Sequence, residues 1–196
     1  MKCMVSLCSA VLAAYLLFTC MPVHGEEGIY ENVIRLHVLA QSDSAEDQAV
    51  KLQVRDAVLA ALSDVMAESD CYETALAAAE ARLEELRLAA EEIAACPVSV
   101  SLGRETYPVR FYENFTLPAG EYMSLRVILG EGSGKNWWCV LFPQMCTAPA
   151  SEDAFLEEFI AAGFSADQYQ LIRRESGVKY KIRFRVLEIL SELIKE

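Results

Sequence analysis

The hydrophobic period of this chain changes at Pro97, and that change limits the folds open to it. On the N-terminal side, Tyr72, Leu76, Ala79, Leu83, Leu86, Ala90 and Ile93 recur three and four residues apart, the spacing of one helix face. On the C-terminal side, Val98, Val100 and Leu102 alternate with serines. Further on, Met123, Leu125, Val127 and Leu129 alternate with Tyr122, Ser124 and Arg126. A period of two belongs to strands with one face buried. Helical and extended segments that come in blocks predict an α+β fold. The expected form is a mainly antiparallel sheet with a packed helical hairpin and C-terminal helices, in a single domain over residues 26–196.

Within this frame, "ENVIRLHVLAQS" carries apolar residues on both faces and reads as an interior strand. The next stretch, "SDSAED", starts a helix, capped by Ser44 with Asp47 three positions on, or by Asp43 with Glu46. That helix is expected to run to Glu68, with Val50, Val54, Val58, Leu62 and Val65 inward. Asp47, Lys51 and Arg55 step along its polar face. One helix over 72–95 should return antiparallel to it, because the connection is short. "GEGSGKN" lacks the spacing and the Ser or Thr of a phosphate loop and reads as a hairpin turn. Trp137–Phe142 would be its return strand, stopped by Pro143. Ser151 opens another helix, with Phe155, Leu156, Phe159 and Ile160 inward, ending at Gly163. Val178, Tyr180, Ile182 and Phe184 alternate with Lys179, Lys181, Arg183 and Arg185 before a short helix from Val186. The basic row suits an edge strand that resists pairing, or a dock for an acidic partner or anionic lipid.

Residues 1–25 have the pattern of an export signal: Lys2, an apolar run to Met21, then Val23-His24-Gly25. A mature start near Glu26 is expected, with an uncleaved anchor as the alternative. The net charge of −12 argues against nucleic acid as a partner. Beyond the signal the cysteines are Cys71, Cys96, Cys139 and Cys146. A single helix over 72–95 would hold Cys71 and Cys96 roughly 35 Å apart, whereas a disulfide needs Cα atoms within about 7 Å. Cys139 and Cys146 can pair if Pro143 turns the chain back. Only His37 remains as a histidine, so a metal site lacks ligands. No cofactor or small-molecule site is expected. The one catalytic alternative is a secreted Cys–His hydrolase acting on cell wall or peptide, with Cys139 or Cys146 activated by His37 and Asp43 orienting the ring.

Two long segments, "IRLHVLAQSDSAEDQAVKLQVRDAVL" and "GSGKNWWCVLFPQMC", resemble the stage II sporulation protein R family of endospore-forming bacteria. Gln41, Ala45 and Gln144 depart from the family pattern, which has Asn, Pro and Pro there. The resemblance implies a signalling protein, not an enzyme. Such a protein is expected to be secreted across the forespore membrane into the intermembrane space and to activate a membrane-embedded aspartic protease there. That protease processes the pro-form of sporulation sigma factor E. A membrane surface is a second expected contact.

Adjacent strand residues point to opposite faces, so Trp137 and Trp138 cannot share one core. One should pack inward and the other serve as a binding anchor. The remaining candidates for partner binding are Arg35, His37, Asp43, Asp47, Lys51 and Arg55, around the strand-to-helix junction.

Overall fold

The strand with apolar residues on both faces takes a place with neighbours on both sides. β1 (Ile34–Leu39) runs parallel to β5 (Gly120–Leu129) and antiparallel to β6 (Asn136–Phe142). β2 (Val98–Tyr107) pairs antiparallel with β5 without a register shift, and the sheet order is β2-β5-β1-β6. This computed structural model describes residues 27–112, 115–145 and 152–173. The expected export signal, the basic row over 178–185, Ser151 and Cys146 lie outside the described residues. The fold is α+β, with a mainly antiparallel sheet and one parallel pair.

Six helices complete the described residues: α1 (Glu27–Glu31), α2 (Ala45–Ala67), α3 (Tyr72–Ala81), α4 (Leu83–Ala94), α5 (Glu152–Ala161) and α6 (Ala166–Ile172). β3 (Arg110–Phe111) and β4 (Thr116–Leu117) form a separate two-stranded ribbon. Ser44 caps α2 as expected, its side chain accepting the Asp47 N–H, and the helix ends at Glu68. The buried stripe is Lys51, Val54, Val58, Leu62 and Met66, so the helix is turned slightly from the expected stripe and brings Lys51 inward.

The expected single helix over 72–95 is two helices. They meet at Arg82, where φ is −105° and ψ is 3°. Nothing in the residue types requires the break, since alanine, leucine and glutamate dominate both sides. The hairpin with α2 forms nonetheless. Cys71 and Cys96 are still not bridged to each other: both are free thiols.

A second difference concerns β6. The turn over 130–135 does not close a hairpin: β6 skips its predecessor β5 and pairs with β1, which lies between them. The cause is the two-sided apolar β1, which buries more surface between two strands than at an edge.

Ile34, Leu36 and Val38 of β1, with Leu125, Val127 and Leu129 of β5, pack under α2, α3 and α4 on the first sheet face. On the second face Val33, Tyr107, Tyr122 and Val140 pack with Ile29 of α1, Leu117, Phe159, Phe164, Tyr169 and Ile172. This second core takes only the end of the sheet where β1 starts. The other half of that face bears Ser99, Ser101, Gly103, Arg126, His37 and Asn136, none of which belongs to either core.

Candidate functional site

β1 and β6 come from the two segments that carry the family resemblance, and their pairing places these segments side by side. The loop between β5 and β6 crosses the end of β1 and is fastened there. Gly134 N–H donates to Ala40 O at 2.9 Å, and Ser133 Oγ donates to Gln41 O at 2.6 Å. Lys135 N–H donates to Asp43 Oδ1 at 2.8 Å. A Cβ on Gly134 would stand 2.2 Å from Ser42 O, so only glycine lets the two backbones meet this closely.

Asp43, Asp47 and Lys51 are used in this clamp. Ser42 Oγ donates to Asp47 Oδ2, whose backbone N–H caps on Ser44. Lys51 Nζ donates to Gln48 Oε1 at 2.7 Å and to Lys135 O at 3.0 Å. Burial lowers the Lys51 pKa, Lys135 adds to the effect, and Asp43 opposes it. The spacing puts Asp47 and Lys51 on the polar face of the helix, and the loop folded over the start of α2 gives both of them internal partners. Gln144 ties the chain just after β6 to α2 by donating to Ser63 O at 2.6 Å.

The two tryptophans do point to opposite faces, and each is covered. Trp137 packs against the helical core with the Arg55 guanidinium 4.9 Å from its ring centroid. Arg55 also pairs with Asp56 at 2.7 Å. Trp138 lies on the second face between Arg110, 3.5 Å from its centroid, and the His37 ring at 5.4 Å. Both are half-buried. The expected division into one core tryptophan and one exposed anchor gives way to two half-buried rings under arginine lids, because both sheet faces have side chains to pack against.

Registers place Ser101, Arg126, His37 and Trp138 in one row across all four strands. His37, 5% exposed, donates from Nδ1 to Glu105 Oε1 at 2.9 Å, and its Nε2 lies 3.0 Å from Asn136 Oδ1. That amide can serve either charge state: its oxygen accepts from an imidazolium, and after a half-turn its NH2 donates to the neutral ring. Glu105 also accepts from Tyr107 OH at 2.9 Å. Burial alone would raise the Glu105 pKa, but hydrogen bonds from Tyr107 and His37 outweigh it and leave the carboxyl below its ordinary value. Burial pushes the Tyr107 phenol well up, so it remains a donor. Ser124 Oγ lies 2.7 Å from the same phenol oxygen.

Arg35 sits beneath this row, wholly buried. Its Nη2 donates to Tyr112 OH, while Nε and Nη1 have no hydrogen-bond partner. The charge rests on the faces of Tyr107, at 3.9 Å, and Tyr122, at 5.1 Å. Sequence reasoning missed Glu105, Tyr107, Asn136, Arg110 and Arg126. The available signal was His37 itself: a lone histidine on a buried strand needs two polar partners.

The catalytic alternative, as it concerns Cys139 and His37, is not assembled. Cys139 pairs in register with Leu36, on the helix-covered face, and is disulfide-bonded. His37 looks out on the other face. Ser124 is fully buried. Among the described residues no group of three His, Cys, Asp or Glu could hold a metal ion, and no helix is long and apolar enough to cross a membrane. Chemically, the row can stack, donate hydrogen bonds and present fixed positive charge.

Fold and site together define a mixed α+β domain with one half-open sheet face, floored by a histidine–carboxylate array. The chain belongs to the stage II sporulation protein R family, whose sequence profile matches residues 30–152. It is 30% identical over 187 aligned positions to stage II sporulation protein R of Bacillus subtilis (strain 168), covering 84% of this chain and 83% of that protein. No solved structure matches the chain.

Proposed function

We propose that this protein is the signal, not the catalyst, in a proteolytic relay of endospore formation. Exported across the forespore membrane into the intermembrane space, it activates a membrane-embedded aspartic protease, which then processes the pro-form of sporulation sigma factor E. Membership of the sporulation family supports the process. The observation that carries the mode of action is the row Ser101–Arg126–His37–Trp138. Both resembling segments meet there, on a face with stacking and hydrogen-bonding groups, while Cys139 lies on the opposite face from the histidine. Trp138 and Arg126 are the proposed contact residues, and the buried His37 holds Trp138 and Glu105 in place between them. Asp43, Asp47 and Lys51 shape the loop beside them, and Trp137 with Arg55 steadies β6 from behind.

The test is co-expression of the protease and the pro-factor in a non-sporulating host, with and without this protein carrying its export segment. Processing should require both the protease and this protein. Processing by the protease alone, or by this protein without the protease, would contradict the proposal.

A further inference from the structure

β2 contains a glycine that the fold does not require. Gly103 lies mid-strand, in unbroken register opposite Ser124, and a Cβ built on it would meet nothing within 4 Å. Its backbone is not in the left-handed region, since Ala95, Gly130, Gly132 and Gly163 account for the positive φ values among the described residues. Glycine weakens a strand, and where neither turn nor bulge explains it, it marks close approach by another chain or ligand. Ser101 and Ser99, the next residues on the same face, are exposed. Beside them is Arg126, whose side chain is 40% exposed and whose Nε has no hydrogen-bond partner. Its ion pair with Glu105 is long, at 3.8 Å, and that carboxylate already accepts from His37 and Tyr107. Arg110 and the buried Arg35 add positive charge to the same face, within a chain of net charge −12.

We infer that an extended, acidic segment of the protein partner lies across this open half-face, with its backbone against Gly103 and a carboxylate on Arg126. This deepens the activation reading and rests on it. The bare glycine gives the partner main chain room to reach the sheet surface. The cationic patch on an otherwise acidic protein selects a carboxylate over a basic segment.

Gly103→Thr separates this role from a structural one. Threonine favours strands and finds empty space, so the variant should melt at the same temperature or about 2–4 °C higher. In the co-expression assay, the amount needed for half-maximal processing should rise about ten- to a hundredfold, the effect of overfilling a packed contact. Arg126→Glu, on the exposed part of the row, should do the same independently of any effect on β2. If wild type activates and both variants activate within twofold of it, the inference falls while the activation reading stands. If wild type does not activate, both fall. Loss of wild-type self-association in Gly103→Thr by sedimentation would give the face to a second copy. Variant-sensitive binding to anionic vesicles would give it to a membrane. Either outcome would overturn the inference.

Discussion

Replacing Glu105 with glutamine tests the array that orients His37. The carboxylate accepts from His37 Nδ1 at 2.9 Å and from Tyr107 OH at 2.9 Å, with side-chain exposures of 7% for His37 and 22% for Glu105. Glutamine keeps the shape but loses the charge and one acceptor. A hydrogen bond to a charged group is worth about 1.5–3 kcal/mol when little exposed, so a loss of about 2 kcal/mol is expected at pH 7. That corresponds to roughly 4–8 °C in Tm for a chain of this size. The folded-state pKa of Glu105 lies below its unfolded value, so the unfolded chain takes up this proton first as pH falls. The stabilisation is therefore full above the ordinary glutamate range and is lost as pH falls through the folded value. Urea unfolding of wild type and Glu105→Gln at several pH values would read this directly. The gap between them should be open at neutral pH and should narrow steadily as pH falls below the ordinary glutamate range. An equal gap at both ends would mean that packing, not charge, makes Glu105 matter, and would refute the reasoning.

Two further outcomes follow from the packing. Trp137→Ala and Trp138→Ala should each cost about 2–3 kcal/mol in urea unfolding, part of the 3–5 kcal/mol of a fully buried aromatic, because each ring is half-buried under an arginine; a near-zero cost for either would contradict the two-sided cover. In the native protein Cys71 and Cys96 should react with a thiol reagent while Cys139 does not, and peptide mapping without reduction should recover Cys139 linked to Cys146; a free Cys139 would reopen the nucleophile reading.

Much of the scaffold was legible because it follows from local rules. Apolar residues on both faces of Ile34–Leu39 marked an interior strand, and Ser44 marked a helix start. The change of period at Pro97 marked the switch from helices to strands. The connection after β5 was not legible. A short, glycine-rich loop between two alternating segments looks like a hairpin whether or not another strand lies between them, and only the demand of β1 for two neighbours decides it. Glu105 was hidden for a related reason. It sits on the serine-bearing face of its strand, which reads as solvent-facing, and its partner His37 is 68 residues away in the chain. The arginine lids on Trp137 and Trp138 come from α2 and from the β3–β4 ribbon, contacts that no spacing within one segment encodes. Gly103 gave no sequence signal at all, since its significance lies in the empty space beside it.

The central claim is that the half-open face around His37 and Trp138 meets the protease. A photo-crosslinking residue at Ser101, exposed on that face, should trap the protease when the two are co-expressed. The same residue at Glu80, exposed on α3 behind the other face, should trap little or none. Crosslinks from Glu80 with none from Ser101 would place the contact on the helical side and contradict the account.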